Sequence, residues 1–234
     1  MPRFSAIVLL SLSTAASAGG TAKVEVTGDN AAGGTMTMRW QDADNVRIDP
    51  PNQPAYMLLR DGKAYTVMSS GGRTMVMDLA SISNMPGGGP GGMGNPGMSG
   101  SSAISHATAV TELDATGRSE TIAGIEGQIY TVAWTDANGE SHSGEAVLSD
   151  HPAVVEMSQA FGGFIEAMAT VNSNKSPGDA ISEKLAAEGL GVLRFENQFR
   201  LAEISDETPS AGTFELPAKP MNLQDMMKGM QPSQ

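Results

Sequence analysis

Ala55-Tyr56-Met57-Leu58-Leu59-Arg60-Asp61-Gly62-Lys63-Ala64-Tyr65-Thr66-Val67-Met68 reads as a β-hairpin. Two apolar runs flank Asp61-Gly62, and a tight two-residue turn needs positive φ, which Gly and Asp tolerate. The pattern extends in both directions. Upstream, Ala22 to Val26 reads as a first strand. Thr35 to Trp40 alternates, with Met36, Met38 and Trp40 on one face and Thr35, Thr37 and Arg39 on the other. Period two over six residues is a half-buried strand. Val46 to Asp49 is a short strand stopped by Pro50-Pro51. Downstream, Gly71-Gly72 leads into Thr74 to Leu79, where Met75, Met77 and Leu79 share a face. Together these segments predict an antiparallel meander with one apolar and one wetter face.

Residues 85–102 interrupt the meander. They hold eight Gly and three Pro, little to bury and much backbone entropy to lose. They read as a disordered loop within one domain. Strands resume at Ala107 to Leu113, Arg118 to Ala123 and Gly127 to Thr135, where Tyr130, Val132 and Trp134 share a face. Asn138-Gly139 is a turn dipeptide, with Glu145 to Leu148 as the return strand. The period then changes. From Pro152 to Val171, Val154, Val155, Met157, Phe161, Phe164, Ile165 and Met168 recur at spacings of three and four, which makes an amphipathic helix starting at Pro152. A second helix opens at Ser176-Pro177-Gly178-Asp179 and stops at Gly189 or Gly191. Residues 192–204 return to period two, with Leu193, Phe195, Phe199 and Leu201 on one face, interrupted by Asn197.

Strands, then helices, then strands is not an alternating βαβ order. The expected fold class is α+β: a curled antiparallel β-sheet, a half-barrel, wrapped around one or two helices of the C-terminal half. The expected organisation is a signal peptide over 1–18, one domain over 19–217 and a flexible tail over 218–234. The signal peptide reads from Arg3, the apolar run Phe4 to Leu12 and the small-x-small site Ala16-Ser17-Ala18, with cleavage after Ala18 into the periplasm. The apolar run is too short to span a membrane.

The chain has 234 residues, a formal net charge of −12 and no Cys. The charge argues against nucleic acid and anionic membrane surfaces as partners. The missing Cys excludes disulfides, Cys-ligated metals and a cysteine nucleophile. His106, His142 and His151 form no His-x-x-x-His or Glu-x-x-His spacing, so a metal site would need partners distant in sequence, and none is assigned. Met93 and Met98, with Met226, Met227 and Met230, are soft donors that could take Cu(I), against the plainer reading of Met as core filler at Met36, Met38, Met57, Met75 and Met77. No Gly-x-Ser-x-Gly elbow, phosphate loop or paired catalytic carboxylates appear, so the chain reads as non-enzymatic with no cofactor.

Arg60-Asp61-Gly62-Lys63-Ala64-Tyr65, the phrase Thr116-Gly117-Arg118-Ser119-Glu120-Thr121-Ile122-Ala123-Gly124-Ile125-Glu126-Gly127-Gln128-Ile129-Tyr130 and the late Phe214-Glu215-Leu216-Pro217 carry a resemblance. With the export signal, the chain resembles an uncharacterised exported bacterial family related to the periplasmic lipoprotein-carrier superfamily, the LolA/LolB-like fold. The resemblance implies a half-open barrel with helices in its mouth and an apolar cavity. The expected function is a soluble periplasmic carrier of a lipid or acyl chain. Trp40, Tyr65, Tyr130, Trp134, Phe195 and Phe199 are the expected pocket lining. The alternative is a scaffold for a periplasmic protein partner, and Cu(I) binding comes after both.

Overall fold

The protein is described by a computed structural model covering residues 19–28, 31–83, 107–136, 138–172 and 179–221. The expected signal peptide, the whole Gly-rich loop 85–102, His106, Ser176 to Gly178 and the Met-rich end lie outside these residues. Among the described residues, no helix is long and apolar enough to cross a membrane.

The strands are β1 (Gly20–Gly28), β2 (Ala31–Trp40), β3 (Val46–Asp49), β4 (Ala55–Arg60), β5 (Lys63–Ser70), β6 (Arg73–Asp78), β7 (Ala107–Ile122), β8 (Ile125–Asp136), β9 (Ser141–Ser149), β10 (Gly191–Phe195) and β11 (Phe199–Ser205). The helices are α1 (Leu79–Ser83), α2 (Pro152–Asn172) and α3 (Asp179–Glu188). All eleven strands form one open antiparallel sheet in the order β6-β5-β4-β3-β2-β1-β11-β10-β9-β8-β7. Two meanders therefore meet at β1–β11, where Thr21 faces Ser205 and Val26 faces Phe199. The helices α2 and α3 are an excursion between β9 and β10, which are neighbours in the sheet. This is the α+β curled sheet that the element order predicts.

The hairpin read first is present, with Arg60 opposite Lys63 and positive φ at Asp61 and Gly62. The meander differs from expectation in one respect. Met57, Leu58 and Leu59 are all buried, so both faces of β4 are covered. Met57 and Leu59 join the main core under α2, while Leu58 packs with Tyr65, Val67, Val76 and Phe214 on the opposite face. The cover there is the C-terminal segment. Its 3-10 turn (Ala211–Phe214) inserts Phe214, and the Met221 amide donates to the Val76 carbonyl at 2.8 Å.

The main core puts Val154, Met157, Ala160 and Phe164 of α2 against Ala22, Val24, Met38, Trp40, Ile48 and Leu201. Backbones approach closely at two points. A Cβ on Gly191 would collide with the backbone of Val154, and one on Gly163 would lie 2.8 Å from the Ala43 carbonyl oxygen. Ser158 accepts the Val192 amide at 2.9 Å, pinning α2 to β10.

Two sequence expectations are corrected. The segments expected at Ala107 to Leu113 and Arg118 to Ala123 merge into one 16-residue strand, β7, which ends at Ile122, one residue before the expected end. Register shifts against β8 absorb the Gly117 interruption without ending the strand. Conversely, residues 192–204 are a hairpin, β10–β11, whose turn holds Glu196 at φ 45 and bonds the Gln198 amide to the Phe195 carbonyl. The helix α1, at the end of the first meander, has no counterpart in the sequence reading.

The β7–β8 hairpin folds back over its own sheet. Glu120 of β7 bonds Arg200 of β11 at 3.0 Å and Arg194 of β10 at 3.1 Å. In a flat sheet β7 and β11 would stand about 19 Å apart, four strand spacings of about 4.8 Å. Glycine permits the return: a Cβ on Gly127 would lie 2.7 Å from Leu193 Cδ1 and Val147 Cγ1. A chain of charges seals the curl, as Arg194 also bonds Glu145 at 2.8 Å and Glu145 accepts from Arg118 at 2.7 Å.

Hydrogen bonds from Arg194 and then Arg118 hold the Glu145 carboxyl below its usual range, against a smaller opposing effect of desolvation. For Glu120, desolvation pushes upward but the combined pull of Arg200 and Arg194 prevails, so its carboxyl also titrates low. Folded values below unfolded ones mean that these bonds stabilise fully above the unfolded carboxylate value of about 4.3 and fail as pH falls through the lower folded values. The urea midpoint should drop across this acid window, and Glu145→Gln should flatten that slope. Gly191→Ala should cost at least about 2 kcal/mol in the same measurement, because backbone must move to admit the methyl.

Candidate functional site

The second apolar cluster lies under α3. From the sheet come Val132, Trp134, Ala146, Leu148 and Phe195; from the helix come Ile181 and Leu185. Strand pairing places them together: Tyr130 and Phe195 both lie opposite Ala146, and Trp134 lies opposite His142. Phe195 also faces Phe199 across the β10–β11 turn. Phe199 packs against both this cluster and the main core.

Four of the six expected lining residues, Tyr130, Trp134, Phe195 and Phe199, are thus brought together in one cluster, and of these Phe195 lines the cavity under α3. The other two lie elsewhere. Trp40 is buried in the main core against α2. Tyr65 lies opposite Leu58 in the Phe214 cluster, outside the pocket. Burial, then the charges of Asp78 and Asp61, raise the Tyr65 phenol above its usual value, so it stays neutral. Sequence reasoning missed Val110, Leu113, Ile181 and Leu185. The first two sit on the strand that was read as broken, and their common placement depends on where α3 lands.

Between α3 and the strands is a cavity of about 20 Å³, lined by apolar side chains and the stem of Lys184. That space holds about one water-sized sphere. The Lys184 ammonium turns to Glu188 at 2.7 Å on the helix surface. Beyond the lining, Trp134 meets the lining residue Phe195 edge-on at 5.6 Å, and among the described residues its buried Nε1 donor, like that of Trp40 in the main core, has no hydrogen-bond partner. A buried N–H without an acceptor is costly and marks a place where an oxygen would be welcome.

α3 is held more lightly than α2. It buries Ile181 and Leu185, contributing about 3–6 kcal/mol as an upper estimate, and touches α2 where Ser182 approaches Gly162. α2 buries Val154, Met157, Ala160 and Phe164. The helix that covers the cavity is therefore the one that can leave without dismantling the core.

Of the histidines, His142 faces Asp136 on the β8–β9 hairpin at 3.2 Å, and His151 precedes α2. The donor atoms of Asp136, Glu140 and His142 all lie within 4.8 Å of one another. Potential metal partners of His142 are therefore near in sequence, not distant as expected. Met38 and Met57 are core residues, as the filler reading requires.

No family model matches the chain, and no curated protein or solved structure matches it either.

Leu185→Asp should detach α3 while leaving the sheet intact. Amide exchange should quicken over residues 179–188 and stay slow in β1, β2 and β11.

Proposed function

We propose that this protein is an exported, periplasmic carrier of an apolar ligand, a lipid or acyl chain, taken up beneath α3. The observation that carries the reading is the apolar cavity under a short, lightly anchored helix. The export address of residues 1–18 supports the compartment, and the resemblance to lipoprotein carriers supports the ligand class. The mechanism is burial. With α3 closed the cavity is too small for an acyl chain, so binding requires Ile181 and Leu185 to lift from the strands. The chain then replaces them against Val132, Leu148 and Phe195, excluding water from both surfaces. No catalytic group takes part.

A nearly filled cavity is also what an interaction scaffold would present, and uptake separates the two. The purified protein should bind N-phenyl-1-naphthylamine saturably, at about one per chain, with competition by long-chain lipids. Ala146→Leu, which fills the cavity, should weaken uptake at least about tenfold with the fold retained by circular dichroism. No saturable uptake, or uptake indifferent to Ala146→Leu, would turn the assignment to the scaffold. Native mass before and after organic extraction identifies any lipid carried from the cell.

A further inference from the structure

We propose that the tip of the β8–β9 hairpin binds a divalent transition-metal ion of the zinc class, through His142 Nε2 and the carboxylates of Asp136 and Glu140. Asn138 and Glu140 are tied to one side of Asp136. Its Oδ1 accepts the amides of Asn138 and Glu140, each at 2.9 Å. That leaves Oδ2 facing His142 Nε2 at 3.2 Å.

Two observations outside the three donors support the site. The His142 imidazole is stacked on the ring of its cross-strand neighbour Trp134, with centroids 5.7 Å apart and planes 20° apart. Trp134 is buried, so the ring that presents Nε2 is held by the core and not by the exposed turn. Charge is the second. Among the described ion pairs, Asp136 has His142 as its partner and Glu140 has none, so no Lys or Arg balances two carboxylates. A dication would supply that balance.

The donor set selects the class of ion. Imidazole with two carboxylates suits zinc-like ions, whereas calcium and magnesium favour oxygen ligands alone. Ligands on a tetrahedral ion sit about 3.3–3.5 Å apart, so the exposed Glu140 side chain need only swing inward, and water completes the fourth position. The turn and the Trp134 end of the apolar cluster would then be fixed together.

The test is calorimetric titration of the EDTA-stripped full chain with ZnCl₂, repeated with CoCl₂ and read by the visible absorption of tetrahedral cobalt. Trp134 provides a second readout, because an ion on His142 should quench its fluorescence. One ion per chain with a Kd below about 10 µM is expected, and His142→Ala and Glu140→Gln should each weaken it at least about tenfold. Glu126→Gln, on the distant end of β8, should leave it unchanged. Absence of 1:1 binding below about 100 µM would overturn the site. So would binding that survives His142→Ala, which would place the ion elsewhere in the chain.

Discussion

The pairing of β1 with β11 is the constraint on which the rest of the structure depends. It joins two meanders that would otherwise be separate sheets, and it brings together residues as distant as Thr21 and Ser205. Because these two strands are central, the sheet edges fall at β6 and β7, which are consecutive in the chain. The excursion α2–α3 must also begin and end at neighbouring strands, β9 and β10. That forces both helices onto the sheet and gives each its own apolar cluster. One becomes the core and the other a cover.

Covering differs between the two halves. The first meander is sandwiched, with α2 on one face and the Phe214 segment on the other. The second meander covers itself, since the β7–β8 hairpin returns across β9–β11 and Glu120 binds two arginines that a flat sheet would leave far away. Bulges in β7 and the missing side chain at Gly127 make the bend possible. Burial of four consecutive residues, Ala146 to Ser149, follows directly.

Much of this was legible because local chemistry and tertiary context agree. Asp61-Gly62 and Asn138-Gly139 set hairpins through positive φ, and β3 and β4 run where alternation and proline placed them. The failures have local causes. Gly117 looks like a strand end, yet a bulge absorbs it. The β10–β11 turn contains no glycine, so Glu196 adopts positive φ against its own preference and the break in alternation at Asn197 is the turn's one signal. Strand parity put Tyr130 and Trp134 on one face and could not say that α3 would meet them. Tyr65 was misplaced because the cover over its face comes from residues about 150 positions later. Asp136, Glu140 and His142 were passed over because helical spacings were sought, whereas a hairpin gathers donors across its turn.

The sandwiching of β4 also governs how the chain must be handled while it is being made. Met57-Leu58-Leu59 emerges early, but α2 follows about a hundred residues later and Phe214 later still. At about 5–20 residues per second, a strand destined to be buried on both sides spends seconds with both sides bare. Such a segment is a nucleus for aggregation until its covers arrive. A chain built this way cannot complete its fold from the N-terminus outward. It needs to be kept apart from its own copies until its last strand has been delivered.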